Sequence, residues 1–320
     1  MSSFFTVVIP FYNRGDFAIA ALASVTNQTE TDFEVLLVDD GSDESTREAV
    51  LLAVANEPRA RVLHQENAGQ NVARNLAIQQ AAGQYVAFLD SDDLMTPNTL
   101  AIYRRVIEST DAPSLVYGAT VTTFRDEADI EHLMRRNDRP DLDHMLHPSY
   151  FEMTEPALVL QSCSGVVVRL DVLRKHSGFE PLRINGMDVD FWLRLGAEPG
   201  FVTVRSPITW MWRAHDQPRV TGNGERHVKG VIFLLDRELA AGYPGGARLA
   251  RQRRAILTRV TRPSSLHCLN RGWRAASWSI YNRTFVWNAR QFRLKYLLAF
   301  PVLFLASLVK PKPKTWTSRG

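Results

Sequence analysis

Tyr85-Val86-Ala87-Phe88-Leu89-Asp90-Ser91-Asp92-Asp93 is the stretch on which the reading of this chain turns. Apolar residues of β preference run straight into three carboxylates, the pattern of a buried strand that delivers acids at its C-terminal end. If the backbone stays extended, Asp90 and Asp92 point the same way, because side chains alternate along a strand. Two acids so placed repel each other unless a cation or a donor sits between them. A divalent metal carrying a diphosphate would meet that need, since Mg²⁺ and Mn²⁺ take oxygen ligands and share them with phosphates. The competing reading is a helix cap, with Asp92, Asp93 or Thr96 closing a helix that opens at Pro97.

Working outward, the upstream sequence alternates strand and helix signals. Thr6–Pro10, Phe33–Val38 and Arg61–His64 read as strands, the second running into Asp39-Asp40-Gly41-Ser42. Helical spacing covers residues 16–28, then a helix capped by Ser45 and running to Ala55, then one from Val72 to Ala81 stopped by Gly83. Such β-α-β-α-β-α-β order implies an α/β fold with a mostly parallel sheet and short crossovers. Phe11-Tyr12-Asn13-Arg14-Gly15 after the first strand is neither a dinucleotide fingerprint nor a P-loop. That weighs against NAD and ATP chemistry and favours a site in which acids and a metal hold phosphates.

Downstream, Ser114–Tyr117 and Cys163–Val168 read as strands. The intervening 126–156 loses periodicity and reads as a loop or lid, with His144 and His147 solvated rather than metal-binding. Asp171–His176 reads as a helix. Asn185–Leu195 is amphipathic and opens at an acid, Asp188, for which helix capping is the plain alternative role. Trp210–His215 reads as a strand and its exit.

Four pieces together, Val8-Ile9-Pro10-Phe11-Tyr12-Asn13, Val38-Asp39-Asp40-Gly41-Ser42, Asn67-Ala68-Gly69 with Ala73-Arg74-Asn75, and Phe88-Leu89-Asp90-Ser91-Asp92-Asp93, resemble the inverting family 2 glycosyltransferases of the GT-A fold. The resemblance implies a GT-A type nucleotide-binding sheet flanked by helices. It makes Asp92 the metal-binding acid of a D-x-D motif, with Asp90 and Ser91 beside the nucleotide or the metal shell. It places the nucleotide base at Asp40 and Asp39, with Pro10 and Tyr12 in the same pocket and Arg74 near the phosphates. Asp188 becomes the general base, although Met187 stands where the family carries a first acid. His215 falls on an R-x-H element that contributes a third metal ligand or a diphosphate contact in some members. Mn²⁺ or Mg²⁺ is the implied cofactor and a nucleotide sugar the donor, a UDP-sugar as the first expectation.

The 320 residues carry a net charge of +4 that conceals a strong asymmetry. No Asp or Glu follows Glu238, and 16 Lys and Arg lie from Arg248 onward, so residues 1–238 carry −12 and the remainder +16. The composition shifts after Gly242-Tyr243-Pro244-Gly245-Gly246, which sets an expected division into 1–245, the catalytic domain, and 246–320, a basic, aromatic-rich helical extension. Leu297–Val309 is almost wholly apolar but shorter than the ~20 residues a span needs. Mixed with basic and aromatic residues, it fits helices lying in an anionic membrane interface, and no nucleic-acid motif accompanies the charge. The N-terminus has no signal-peptide pattern, and the two cysteines, Cys163 and Cys268, have no disulfide-framework or metal spacing.

The resemblance, taken with the basic tail, implies one expectation. A metal-dependent enzyme, cytoplasmic and peripheral on the inner face of the membrane, moves a sugar to a glycan or lipid-linked acceptor in envelope synthesis; self-association is compatible with it. A nucleotidyltransferase would share the strand-end acids but needs a basic, Gly-rich triphosphate loop. An inactive nucleotide-binding scaffold would share the fold.

Overall fold

Four parallel strands form the half of the sheet that carries the acids: β1 (Phe5–Phe11), β2 (Phe33–Asp40), β3 (Ala60–Gln65) and β4 (Tyr85–Phe88), in the order β3-β2-β1-β4. The computed structural model describes residues 3–124, 141–153, 159–160, 162–215 and 224–309. Helices α1 (Gly15–Thr26), α2 (Glu44–Val54) and α3 (Gln70–Gln80) make the crossovers. Every residue of β1 is buried, which is why its sequence is a continuous apolar run rather than an alternating one. Phe5, Val7 and Ile9 share a core with Val35, Leu37 and Ala87, closed by Ala18, Leu22 and Val25 of α1. Phe88 belongs to a separate aromatic cluster, with ring centroids 5.5 Å from Phe179 and 6.1 Å from Trp192.

Beyond β4 the sheet becomes mixed. It continues through β8 (Val166–Arg169), β6 (Leu115–Phe124), β9 (Phe201–Arg213) and β5 (Asp93–Met95), with β7 (Asp143–His147) on β9. Helices α4 (Thr99–Ser109), α5 (Leu170–Lys175) and α6 (Met187–Leu195) complete this part. Gly165 shows why one position tolerates no side chain. Its φ is +76°, and a Cβ there would lie 2.0 Å from Trp210 Nε1.

The chain divides into two units. The first comprises Met1–Thr154, Leu160–Arg183 and Met187–Pro218; the second comprises Glu155–Val159, Ile184–Gly186 and Arg219–Gly320. The second contains α7 (Gly224–Leu239), α8 (Ala250–Asn270), α9 (Arg274–Arg290) and α10 (Leu294–Val309). The compositional boundary at residue 245 therefore lies inside this unit, between α7 and α8. Within it, Glu238 accepts from Arg253 Nε at 2.7 Å and from Arg254 Nε at 2.9 Å, and Arg253 also donates to the carbonyls of Pro244 and Gly246. Arg253 is buried, so part of the basic charge is spent inside the unit rather than on its surface.

Several local expectations change. The acidic stretch does not stay extended: β4 ends at Phe88, and Asp93 N donates to Asp90 O at 3.0 Å across a turn. The helix after it starts at Thr99 with Asn98 before it and no side-chain cap, so Asp92, Asp93 and Thr96 do not serve as its caps. Asp43, not Ser45, caps α2, accepting from Thr46 N at 2.8 Å. Part of the aperiodic 126–156 segment is the strand β7. Its His147 is buried, stacked on Phe201, with Nε2 3.1 Å from Thr203 Oγ1, and so is neither solvated nor a ligand. Residues 126–140 and 154–156 of the expected lid lie outside the described residues.

Candidate active site

In the order β3-β2-β1-β4 the chain leaves β1 toward β2 and returns on its other side as β4. The switch point at the C-terminal ends of β1 and β4 is where open α/β sheets hold ligands. Pro10 is the penultimate residue of β1, in register with Val38 and buried, and Tyr12 just beyond is half exposed. Asn13 then ties two loops together: its N donates to Ser42 Oγ at 3.0 Å, and its Oδ1 accepts from Asp43 N at 2.8 Å. Gly41 is held at φ +78° where a Cβ would sit 2.6 Å from Asn67 N. The separate motif fragments are thus one hydrogen-bonded rim.

Asp39 and Asp40 are both buried and both engaged. Asp39 accepts from Ser42 N at 2.8 Å, and its other oxygen lies 2.9 Å from His64 Nδ1. Asp40 accepts from Gln65 Nε2 at 2.7 Å and Ala68 N at 2.8 Å, and from Gly69 N on both oxygens. These acids hold the loop that opens α3. Half-exposed His64 and backbone are what this end offers a ligand.

The acids of the turn have separate counter-ions. Arg74, 2% exposed, reaches from α3 to Asp90 Oδ1 at 2.6 Å, with Nη1 3.3 Å from Asn71 Oδ1 and its guanidinium 5.4 Å from the Phe179 ring centroid. Asp92 Oδ2 receives Arg14 Nη1 at 3.0 Å and meets His215 Nε2 at 2.9 Å. His215 lies 5.0 Å from the Phe17 ring, and its buried Nδ1 has no hydrogen-bond partner among the described residues. Asp93 turns inward, taking Ser164 Oγ at 2.5 Å, while Ser164 Oγ accepts from Asp90 N at 3.0 Å. Burial, followed by the charge of Asp90, pushes the Asp93 carboxyl well above the usual range. Ser91 is buried in the turn between them.

Asp188 stands in the first turn of α6, half buried, with Oδ1 accepting from Val189 N at 2.9 Å. Burial raises its pKa to about 6, opposed by that backbone N–H and by the Arg74 charge. A carboxylate with that affinity is ionised at neutral pH yet basic enough to take a proton. Met187, in place of the family's first acid, is fully buried. The helix is held by a different acid: Asp190, itself buried, accepts from Arg194 Nε at 3.1 Å, and Arg194 also donates to the carbonyls of His176 and Gly178. Asn75 fixes the same loop from the other side, donating to Phe179 O at 2.8 Å and accepting from Phe179 N at 2.7 Å.

Asp92 and His215 supply an oxygen and a nitrogen donor side by side, a set that suits Mn²⁺. Among the described residues no third His, Cys, Asp or Glu joins them. The pair fits a metal whose remaining ligands are diphosphate oxygens and water, the usual arrangement where phosphates share the ion.

Arg14, His64, Ser164 and Asp93 are among the residues of this site that sequence reasoning did not assign. Only Asp93, inside the acidic run, carried a signal. Ser164→Ala should destabilise the protein by about 1–3 kcal/mol, because it strips a donor from a buried carboxyl. Urea unfolding checks this, and an unchanged midpoint would mean the turn is held without it.

Residues 6–176 match the model of glycosyl transferase family 2, and the chain belongs to that family. An uncharacterized glycosyltransferase of Rickettsia felis is 42% identical over 197 residues, which are 60% of this chain and 30% of that protein. The chain thus spans less than a third of that relative's length. Among solved structures, Staphylococcus aureus TarS superposes with a TM-score of 0.62 at 16% identity, covering 92% of this chain and 54% of TarS. Its 1–349 form in complex with UDP-GlcNAc gives 0.55 at 19%, covering 90% and 91%. The mannosyltransferase PcManGT of Pyrobaculum calidifontis, in complex with GDP-Man and Mn²⁺, gives 0.51 at 18%, covering 95% and 88%. These likenesses show the fold: a GT-A type sheet flanked by helices, here with a C-terminal helical extension.

Proposed function

We propose that the first unit transfers a sugar from a nucleotide-diphosphate donor to an acceptor hydroxyl with inversion, Asp188 being the base. The observation that carries this is the Asp188 carboxyl, raised to about 6 and coupled electrostatically to the Arg74–Asp90 pair at the switch point. The acceptor oxygen bonds to the anomeric carbon as the bond to the diphosphate breaks on the opposite face, and the acceptor's proton passes to Asp188. Arg74 holds the Asp90 carboxyl in place. Asp39 and Asp40 shape the base end through the loop they hold, with Pro10, Tyr12 and Ser91 lining the approach. Asp92 and His215 would hold Mn²⁺ or Mg²⁺, which when bound offsets charge on the departing diphosphate. Arg14, already on Asp92, is placed to keep that carboxylate oriented.

The complexes of related folds with UDP-GlcNAc and GDP-Man support a nucleotide-sugar donor. A UDP-sugar is our first choice, with a glycan or lipid-linked acceptor of the cell envelope and a peripheral position on the inner membrane face. The 246–320 extension is the membrane-associating part in this reading.

Thermal shift with UDP, GDP, dTDP and CDP, with and without Mn²⁺ or Mg²⁺, tests the donor site. One nucleotide at a hundredfold excess over its Kd should stabilise the protein by about 2.7 kcal/mol. The gain should depend on the metal and vanish in Asp92→Ala. No stabilisation by any of the four would overturn the reading and leave a scaffold.

A further inference from the structure

Helix α10 is apolar on both sides. Leu297 and Phe300 are buried against the second unit's own core, with Phe300 stacked 4.3 Å from Tyr281. The opposite side is an exposed stripe at helical spacing: Leu294 58%, Leu298 74%, Val302 66%, Leu305 63% and Val309 89% exposed. Lys295 is the one charged residue in the whole helix. Its neighbour α9 presents aromatics the same way. Trp278 and Phe285, seven residues apart and so on one face, are 42% and 44% exposed, and Phe292 just past the helix is 84% exposed. Trp278 packs 4.8 Å from Phe304 of α10, and Arg274 at the start of α9 donates to the carbonyl of Ser307 near the end of α10. The two helices are therefore an antiparallel hairpin, and each exposes apolar residues.

An apolar face of this extent is unusual on a surface that meets water. We infer that the α9–α10 hairpin lies flat in the interface of an anionic lipid bilayer, its Leu and Val stripe and exposed aromatics among the acyl chains. This rests on the reading of the chain as a peripheral enzyme, and it names the surface responsible.

Length and charge select this occupant. A 16-residue helix is about 24 Å long, short of the ~30 Å hydrocarbon core. Among the described residues no helix is long and apolar enough to cross a membrane. From residue 239 to the end the sequence has no acidic side chain. Even with Glu238 offsetting one of the two charges of Arg253 and Arg254, and Asp236 that of Arg283, the excess is strongly positive. A second copy brought onto this face would add like charge to like charge, whereas an anionic headgroup layer satisfies both the charge and the stripe. Trp and Tyr with Lys and Arg at an apolar boundary are the composition that interfaces favour.

The test is flotation of the full chain with phosphatidylcholine vesicles, with and without about 30% phosphatidylglycerol, whose charge gives the surface a negative potential. The parent should float with the anionic vesicles, less at high salt. Leu298→Glu/Leu305→Glu, on exposed positions that leave the core intact, should lower the partition at least about tenfold. The same samples are tested for nucleotide-induced thermal stabilisation, which the double variant should retain. No flotation with anionic vesicles, or equal flotation of parent and variant, overturns the inference. So does a concentration-dependent dimer that the variant abolishes, since the stripe would then be a contact between copies. Failure of nucleotide binding with flotation intact would remove the donor reading alone.

Discussion

Asp188→Asn should lower the turnover of sugar transfer by about a thousandfold, within the range by which a positioned base accelerates such steps. Nucleotide binding should stay close to the parent's, because the proposed base acts on the acceptor. The pH profile carries the finer statement. Burial raises the Asp188 pKa to about 6, so transfer should rise with pH and reach half its plateau near that value. Below it the carboxyl is protonated and cannot take the acceptor's proton. A solvated aspartate would place the same limb near pH 4. The variant's residual activity should lack the limb.

Stability gives an independent control on the same variant. A folded-state pKa above the unfolded value means the ionised form is penalised in the folded protein. That penalty grows as pH rises through the usual carboxylate range and is complete above about 6. Asparagine keeps an oxygen for Val189 N and carries no charge, so the variant should be at least as stable as the parent at pH 7.5. Loss of activity together with loss of stability would make Asp188 a helix-capping residue and end its assignment as the base.

What could be read from the sequence was what is local. Strand β4 and the acids after it follow from one nine-residue run, and β1 to α3 from the alternation of apolar runs with Gly and Asn punctuation. What could not be read were contacts made across long intervals. Asp92 meets Arg14 and His215, separated from it by 78 and 123 residues, and Asp93 meets Ser164 across 71. Those contacts stabilise a turn where the alternation rule predicts continued strand. The choice of Asp43 over Ser45 as a cap is the same lesson at short range. Both have suitable oxygens, and the Asn13 bond to Asp43 N decides which one stands at the helix start. Strand β7 was hidden because its sequence, Asp143–His147, is polar; pairing with β9 overrides its propensity.

Arg74→Met tests the other half of the proposed machinery, and its effect should appear first in stability. The guanidinium is buried and donates to Asp90 at 2.6 Å, and α3 carries no other Lys or Arg. Removing one partner leaves the Asp90 carboxylate, 28% exposed, without its counter-charge, a loss of about 1–3 kcal/mol. Urea unfolding at pH 7.5 measures it. Arg74→Lys should recover only part, because an ammonium cannot reach Asp90 and Asn71 with one planar group. Arg74→Met/Asp90→Asn should be more stable than Arg74→Met alone, since the stranded charge is gone; equal stability of the two would show that the pair contributes through packing on Phe179. The substitution also acts at a distance. The Arg74 charge lowers the Asp188 pKa, so its loss should move the acid limb of the transfer profile above pH 6. A site built of independent residues would leave that limb in place. Movement of the limb ties the base to the pair that holds Asp90, and makes the three side chains one electrostatic unit.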